Sequence, residues 1–198
     1  MMGASVELSP ELIEEFVISA HGNFPKMREM LEREPGLLNK KWVKFDENAL
    51  EASGHMGRAD IVEYLLEKGA PPTIFSAAVQ GKTEDVAAFL REEPARAKAP
   101  GVHGISILFH VATSGKVEIA ELLVANGGGD DAGNSLHGAV RYGHRDMVAW
   151  LLDRGGDPNT PGFDGRTPLA LALELGHTEI ADLLRERGGV ESAGEKVV

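Results

Sequence analysis

Asp164 to Val190 reads DGRTPLALALELGHTEIADLLRERGGV, and this stretch decides the fold. Gly165 suits a turn. Thr167 can cap a helix, with Pro168 at the first helical position, where its missing N–H costs nothing. Leu169, Ala172 and Leu173 fall on one face of a two-turn helix that Gly176 ends. A second helix, expected from Thr178 to Glu186, carries Ile180, Leu183 and Leu184 at helical spacing. Gly188 and Gly189 then supply a left-handed cap. The unit is helix, tight turn, helix, loop.

Gly176 has five counterparts in the same local setting: Gly22, Gly57, Gly81, Gly115 and Gly143. Eight positions after these six glycines stand Met30, Leu65, Phe89, Leu123, Leu151 and Leu184. Nine positions after stand Leu31, Leu66, Leu90, Val124, Leu152 and Arg185. Seven positions before stand Glu15, Leu50, Ile74, Leu108, Leu136 and Leu169. Self-similarity at this period marks a stacked-repeat protein, in which each unit buries its apolar face only against its neighbours. Glu15 and Arg185 break the apolar pattern at the two ends, as terminal units with a water-facing side require. Ser9-Pro10-Glu11 reads as a helix start.

The glycine spacing is 35, 24, 34, 28 and 33 residues. The helical part of each unit is constant, so the variation lies in the connecting fingers. These are Gly36–Glu47, Pro71 alone, Ala95–Ile105, Gly129–Gly133 and Asp157–Arg166, with lengths of 12, 1, 11, 5 and 10 residues. Long and short fingers alternate. The pattern is compatible with tolerated deletion in surface loops. It is equally compatible with notches that shape a binding face, and it predicts three projecting fingers separated by two recesses.

The motifs resemble the ankyrin repeat, with its TPLH-type helix start, glycine-histidine turn and glycine-rich helix end. The match is TPLA at Thr167 to Ala170 with Gly176-His177, and NSLH at Asn134 to His137 with Gly143-His144 and Gly155-Gly156-Asp157. Units two and four are looser, and units one and three end in Glu-Pro, at Pro35 and Pro94. The resemblance implies an all-α, ankyrin-type solenoid of stacked helix-turn-helix repeats with hairpin-like fingers of alternating length. The expected organisation is an N-terminal segment over 1–10, six repeats over about 11–35, 48–70, 72–94, 106–128, 134–156 and 167–190, and a C-terminal tail over 191–198. It also implies that His137, His144 and His177 are structural, bridging neighbouring turns through backbone hydrogen bonds.

Composition narrows the function. The chain has 31 acidic and 20 basic residues, net charge −11, and no cysteine. That balance argues against a general nucleic-acid binder, which shows a basic face. Thiol catalysis, disulfides and cysteine metal sites are excluded, and a reducing compartment is compatible. No signal peptide is visible at Met1 to Pro10, and no apolar run approaches the roughly 18 residues of a membrane helix. A cytoplasmic monomer is the expectation. No Ser/His/Asp or paired-carboxylate arrangement is discernible, so no enzyme is expected. Gly81-Lys82-Thr83 imitates the end of a phosphate-binding loop, but Ser76 stands where a glycine is needed and no strand precedes it. His21 and His55 stand near the ends of adjacent first helices, yet no HExxH or HxH spacing links any histidines. No metal ligand set and no cofactor are assigned.

The expected function is protein binding. By the resemblance, contact positions precede each anchor glycine: His55, Met56, Gln80, Thr113, Ser114, Arg141, Tyr142 and Glu174. The first finger adds Lys41, Trp42 and Lys44, a basic and aromatic cluster in an acidic chain, and the fifth adds Phe163 and Arg166. Tyrosine, tryptophan and arginine dominate binding hot spots. Two alternatives stay open. One is a small-ligand or metal-binding module using His21, His55 and the notch left by the short second finger. The other is a passive spacer or inhibitory subunit.

Overall fold

The computed structural model describes residues 8–192. The expected terminal segments therefore fall in part, at 1–7 and 193–198, outside the described residues. Six helix pairs follow in order: α1 (Pro10–Ala20) and α2 (Phe24–Arg33), α3 (Ala49–His55) and α4 (Ala59–Glu67), α5 (Ile74–Val79) and α6 (Thr83–Glu92), α7 (Ile107–Ser114) and α8 (Val117–Ala125), α9 (Ala132–Arg141) and α10 (Arg145–Asp153), α11 (Pro168–Glu174) and α12 (Thr178–Glu186). The chain is an all-α solenoid. In the first finger, β1 (Lys41–Trp42) pairs antiparallel with β2 (Glu47–Asn48).

Local chemistry sets the helix starts. Thr167 accepts from the Ala170 N–H at 3.2 Å, and Ser9 does the same from Leu12 at 3.2 Å. Asn48 with Glu51, and Thr73 with Ser76, form reciprocal capping boxes at α3 and α5. Gly81-Lys82-Thr83 is the turn between α5 and α6, with Gly81 left-handed. The second helices end in two ways. After α4, α8, α10 and α12, the N–H groups of Ala70, Gly128, Gly156 and Gly189 bond back to the carbonyls of Leu65, Leu123, Leu151 and Leu184 at 2.8–3.0 Å. These are Schellman-type stops. In α2 and α6 the helix runs ten residues rather than nine and gives way to 3-10 turns at Pro35–Leu37 and Pro94–Lys98. Leu31 and Leu90, not Met30 and Phe89, are the fully packed side chains there.

Another register differs from the sequence expectation. In α11 the buried apolar residues are Leu169, Leu171 and Ala172, while Leu173 is exposed. The helix is short and packs against α9 on one side and α12 on another, so two faces are covered rather than one stripe. The ends carry the expected polar dressing: Glu15 pairs with Lys26 at 2.6 Å, and Arg185 with Asp182 at 3.1 Å.

The single-residue second connection, Pro71, reshapes the stack. The core divides there. One cluster runs from Phe16 to Ala70 and reaches Val79; the other runs from Ile74 to Leu184. Among the second helices, α6 packs on α8, α8 on α10 and α10 on α12, whereas α4 leans on α5. A groove of about 280 Å³ opens beside Leu66 of α4 and Ala88 and Phe89 of α6. On the other side the first helices crowd, and α3 touches α7 past the six-residue α5. The even stacking of the units is interrupted at this point. The expectation of three separate projecting fingers is thereby corrected. The first and third fingers meet, with the Phe45 and His103 rings 5.7 Å apart in an edge-on arrangement.

Leu123 is fully buried between repeats on both sides, and Leu184 is buried in the last repeat. Leu123→Ala should cost about 2–5 kcal/mol, the usual range for truncating a buried leucine. Leu184→Ala should cost less, because its unit has a neighbour on one side. Urea titrations of both variants check this, and equal or inverted losses would contradict the stacking order.

Candidate functional site

The turn side of the array is knitted by side chains that stand just after or before the anchor glycines. His144 Nε2 lies 2.9 Å from the Thr113 carbonyl, and His137 Nε2 lies 2.7 Å from the Thr160 carbonyl. Arg58 holds the histidine position of unit two and donates to the Gly22 carbonyl at 2.7 Å, while pairing with Asp60. Burial pushes the His137 imidazole down, against the opposing pull of its bond to Thr160.

Tyr142 makes the longest link. Its hydroxyl donates to the Met56 carbonyl at 2.5 Å, from unit five to unit two. Its ring lies so close to Gly57 that a Cβ there would stand 2.6 Å from Tyr142 Cε2 and 2.8 Å from Thr113 Cβ. Gly57 is also left-handed, at φ +69°. Thr113 is buried, and its hydroxyl donates to the His110 carbonyl at 2.8 Å, so it offers a partner little surface. Gln80 and Ser114 are half-buried at the same edge, and Arg141 and Glu174 are exposed.

The long fingers present a different surface. Trp42 packs edge-on against Phe45, ring centroids 4.6 Å apart, and is half-buried on the first core cluster. Lys44 sits over the Phe45 ring at 5.2 Å. Lys41 is paired with Asp46 at 3.0 Å, which neutralises one charge of the basic finger. At the finger tips Val43 is 89% and Phe163 88% exposed. Arg166, beside Phe163, is clamped between Asp164 and Glu174. Its hydrogen bonds hold the Asp164 carboxyl down at about 2.

The meeting of the first and third fingers creates a site that spacing alone did not reveal. His21 and His55 do lie together, with ring centroids 5.1 Å apart. Between them stands Glu47, the residue before the Asn48 cap, with its side chain 1% exposed. Glu47 Oε1 is 2.7 Å from His55 Nε2 and 3.5 Å from His103 Nε2, and Oε2 is 3.5 Å from His21 Nε2. Burial alone would raise the Glu47 carboxyl; the His55 hydrogen bond and the three nearby imidazoles outweigh it and leave the group lowered. The cluster borders a cleft of about 640 Å³ lined by Phe45, Phe75, His103 and His110. His110 is buried, which pushes it down to about 4. No motif pointed to Glu47 or to its meeting with His103, since they sit in different fingers.

Comparisons with known proteins agree with this architecture. Family models described as "Ankyrin repeats (3 copies)" and "Ankyrin repeat" match residues 74–161 and 164–193. The chain is 27% identical over 187 residues to a putative ankyrin repeat-containing protein of Treponema pallidum (strain Nichols), covering 91% of this chain and 54% of that protein. It is 32% identical over 120 residues to the Homo sapiens cyclin-dependent kinase inhibitor 2A, covering 58% of this chain and 76% of that protein. It matches a putative palmitoyltransferase of Danio rerio at 29% over 97 residues, covering 46% of this chain and 15% of that protein. The chain thus spans about half the length of the Treponema relative. Sharing these repeats does not separate enzymes from other proteins. Among the described residues no helix is long and apolar enough to cross a membrane.

The link between Tyr142 and Gly57 gives a direct test of the contact between units two and five. Gly57→Ala should cost about 1–2 kcal/mol for its left-handed backbone alone, with the steric clash added. In a Tyr142→Ala background the cost should fall by about 0.5 kcal/mol or more but not vanish, since Thr113 still crowds the site. Denaturant titration of the four chains in this cycle measures the coupling, and strict additivity would mean that the two units do not touch.

Proposed function

The chain belongs to the ankyrin-repeat family, and we propose that it is a protein-binding module whose contact surface is the finger tips and the exposed ends of the first helices. Ankyrin repeats are in general protein–protein interaction modules. The observation that carries the finer reading is the pair of almost fully exposed apolar side chains, Val43 and Phe163, on two of the long fingers. Neither has a packing role in the fold, and apolar side chains surrounded by charge suit the centre and rim of an interface. Met56, Gln80 and Ser114 extend the surface along the turn edge; Arg141 and Glu174 extend it at units five and six. Lys44 and Trp42, with Lys41 beside them, supply a locally basic contact on a molecule of net charge −11. An acidic patch on the partner is the complement. Tyr142 and Thr113 belong to this surface less, since both are engaged within the fold. A non-enzymatic, monomeric and cytoplasmic module without nucleic-acid binding is part of this reading; the cysteine-free sequence fits a reducing compartment.

A pull-down from the native host with mass spectrometry identifies the partner. Phe163→Ala should then weaken it by more than about 1 kcal/mol, roughly a fivefold loss in affinity, with an unchanged melting temperature. Val43→Ser should behave alike if the two fingers grip one partner. Unchanged affinity in the double variant would reject the finger tips as the contact.

A further inference from the structure

Where the first and third fingers meet, three imidazoles converge on one buried carboxylate. His21 is the cap residue after α1, His55 ends α3, Glu47 lies in β2, and His103 sits in the third finger. His103 holds a left-handed backbone, φ +59°, which is uncommon for a residue other than glycine. All three present Nε2 to Glu47, and the donor atoms of His21, Glu47 and His55 lie within 4.8 Å of one another. Among the described residues, the ion-pair partners of Glu47 are these three histidines and no lysine or arginine.

Hydrogen-bond accounting shows what this arrangement lacks. The Nδ1 of His21 is 3.0 Å from the Val17 carbonyl, which can only accept, so Nδ1 carries the proton. With Nδ1 so occupied, His21 has only Nε2 to turn toward the carboxylate, and a cation at Nε2, a proton or a metal ion, is what makes the two groups attract. Fixing Nδ1–H on a backbone carbonyl is also how proteins orient a metal-ligating histidine. A tetrahedral shell at about 2.0–2.1 Å separates its ligand atoms by about 3.3 Å. Glu47 stands 2.7 Å from His55 and 3.5 Å from His21, and the donor atoms of these three lie within 4.8 Å of one another; His103, 3.5 Å from Glu47, must move toward the other two histidines to complete the shell.

We propose that His21, His55, His103 and Glu47 form a binding site for a divalent transition-metal cation, zinc foremost, that clips the third finger onto the first two repeats. Three imidazoles and one carboxylate suit zinc or cobalt(II) better than calcium or magnesium, which take oxygen donors. The dication neutralises the buried carboxylate and is ligated by the imidazoles that converge on it. The partially open flank at His21 and His103 gives the ion a way in. The site is independent of the finger-tip contact surface and draws no support from the relatives.

The test uses the untagged full chain, stripped with a chelator and titrated with Zn²⁺ by calorimetry and with Co²⁺ by visible absorption. One equivalent should bind, with a tetrahedral cobalt spectrum, and zinc should raise the melting temperature. Glu47→Gln and His55→Ala should each weaken binding by about 100-fold or more, and His103→Gln, in an exposed loop that does not threaten folding, by about 10–100-fold. His177→Gln should leave binding unchanged. Absence of stoichiometric uptake of either metal, or uptake equal in the native chain, His103→Gln and Glu47→Gln, would overturn the proposal.

Discussion

The single-residue connection at Pro71 is the constraint on which the rest of this structure depends. A stack of helix pairs keeps its neighbours parallel when every connection supplies a similar spacer. Here α4 and α5 are joined by residues 68–73 alone, a short connection like the one over 126–131 between α8 and α9. Next to it α3 reaches past α5 to α7, and α4 packs on α5. The apolar core splits at the same place, and the first and third fingers close over the position of the missing one. The cleft and the histidine cluster both lie where these two fingers meet.

Contacts between non-adjacent units also change the energetics. In an ideal solenoid each unit touches only its neighbours, and stability is close to a sum of local terms. Two links here skip units. Tyr142 ties unit five to the Met56 carbonyl of unit two, and His103 of the third finger reaches Glu47 of the first. Both span the split in the core. His103 and Glu47, 3.5 Å apart, are at ion-pair distance, while the Tyr142 hydrogen bond contributes about 0.5–1.5 kcal/mol in net terms. That is small against the leucine packing within each cluster. Their effect is to couple two halves that share little apolar contact.

Much of this was legible in the sequence, because the repeat is local. The caps at Ser9 and Thr167, the left-handed turn at Gly176 and the buried Leu65, Leu123, Leu151 and Leu184 follow from spacing and residue chemistry within one unit. Of the three histidine bridges that the family resemblance implied, His144 reaches a neighbouring turn, His137 reaches the Thr160 carbonyl of the fifth finger, and His177 makes no such bond among the described residues. What escaped lies between units. Leu173 pointed outward and Leu171 inward because α11 is gripped from two sides. In the two units that end in Glu-Pro, Leu31 and Leu90 are buried rather than Met30 and Phe89. Glu47 gave no signal at all: a glutamate beside an asparagine cap is ordinary, and its histidine partners lie 26 residues before it, 8 after and 56 after. The alternation of long and short connections was legible, but α9 begins at Ala132, inside the expected fourth finger, so the second and fourth connections, 68–73 and 126–131, are equally short. Distant fingers are brought into contact.

The most direct measurement of this account is the nuclear Overhauser contact between the Phe45 and His103 ring protons in the native chain, and its fate when Pro71 is replaced by a Gly/Ser-rich connection of about ten residues. The rings stand 5.7 Å apart, edge to face, so a clear cross-peak is predicted. It should disappear in the lengthened chain as units two and three relax, while the helices on either side stay folded. Absence of the contact in the native chain, or its survival unchanged after the insertion, would contradict the claim that the short second connection folds the first and third fingers together.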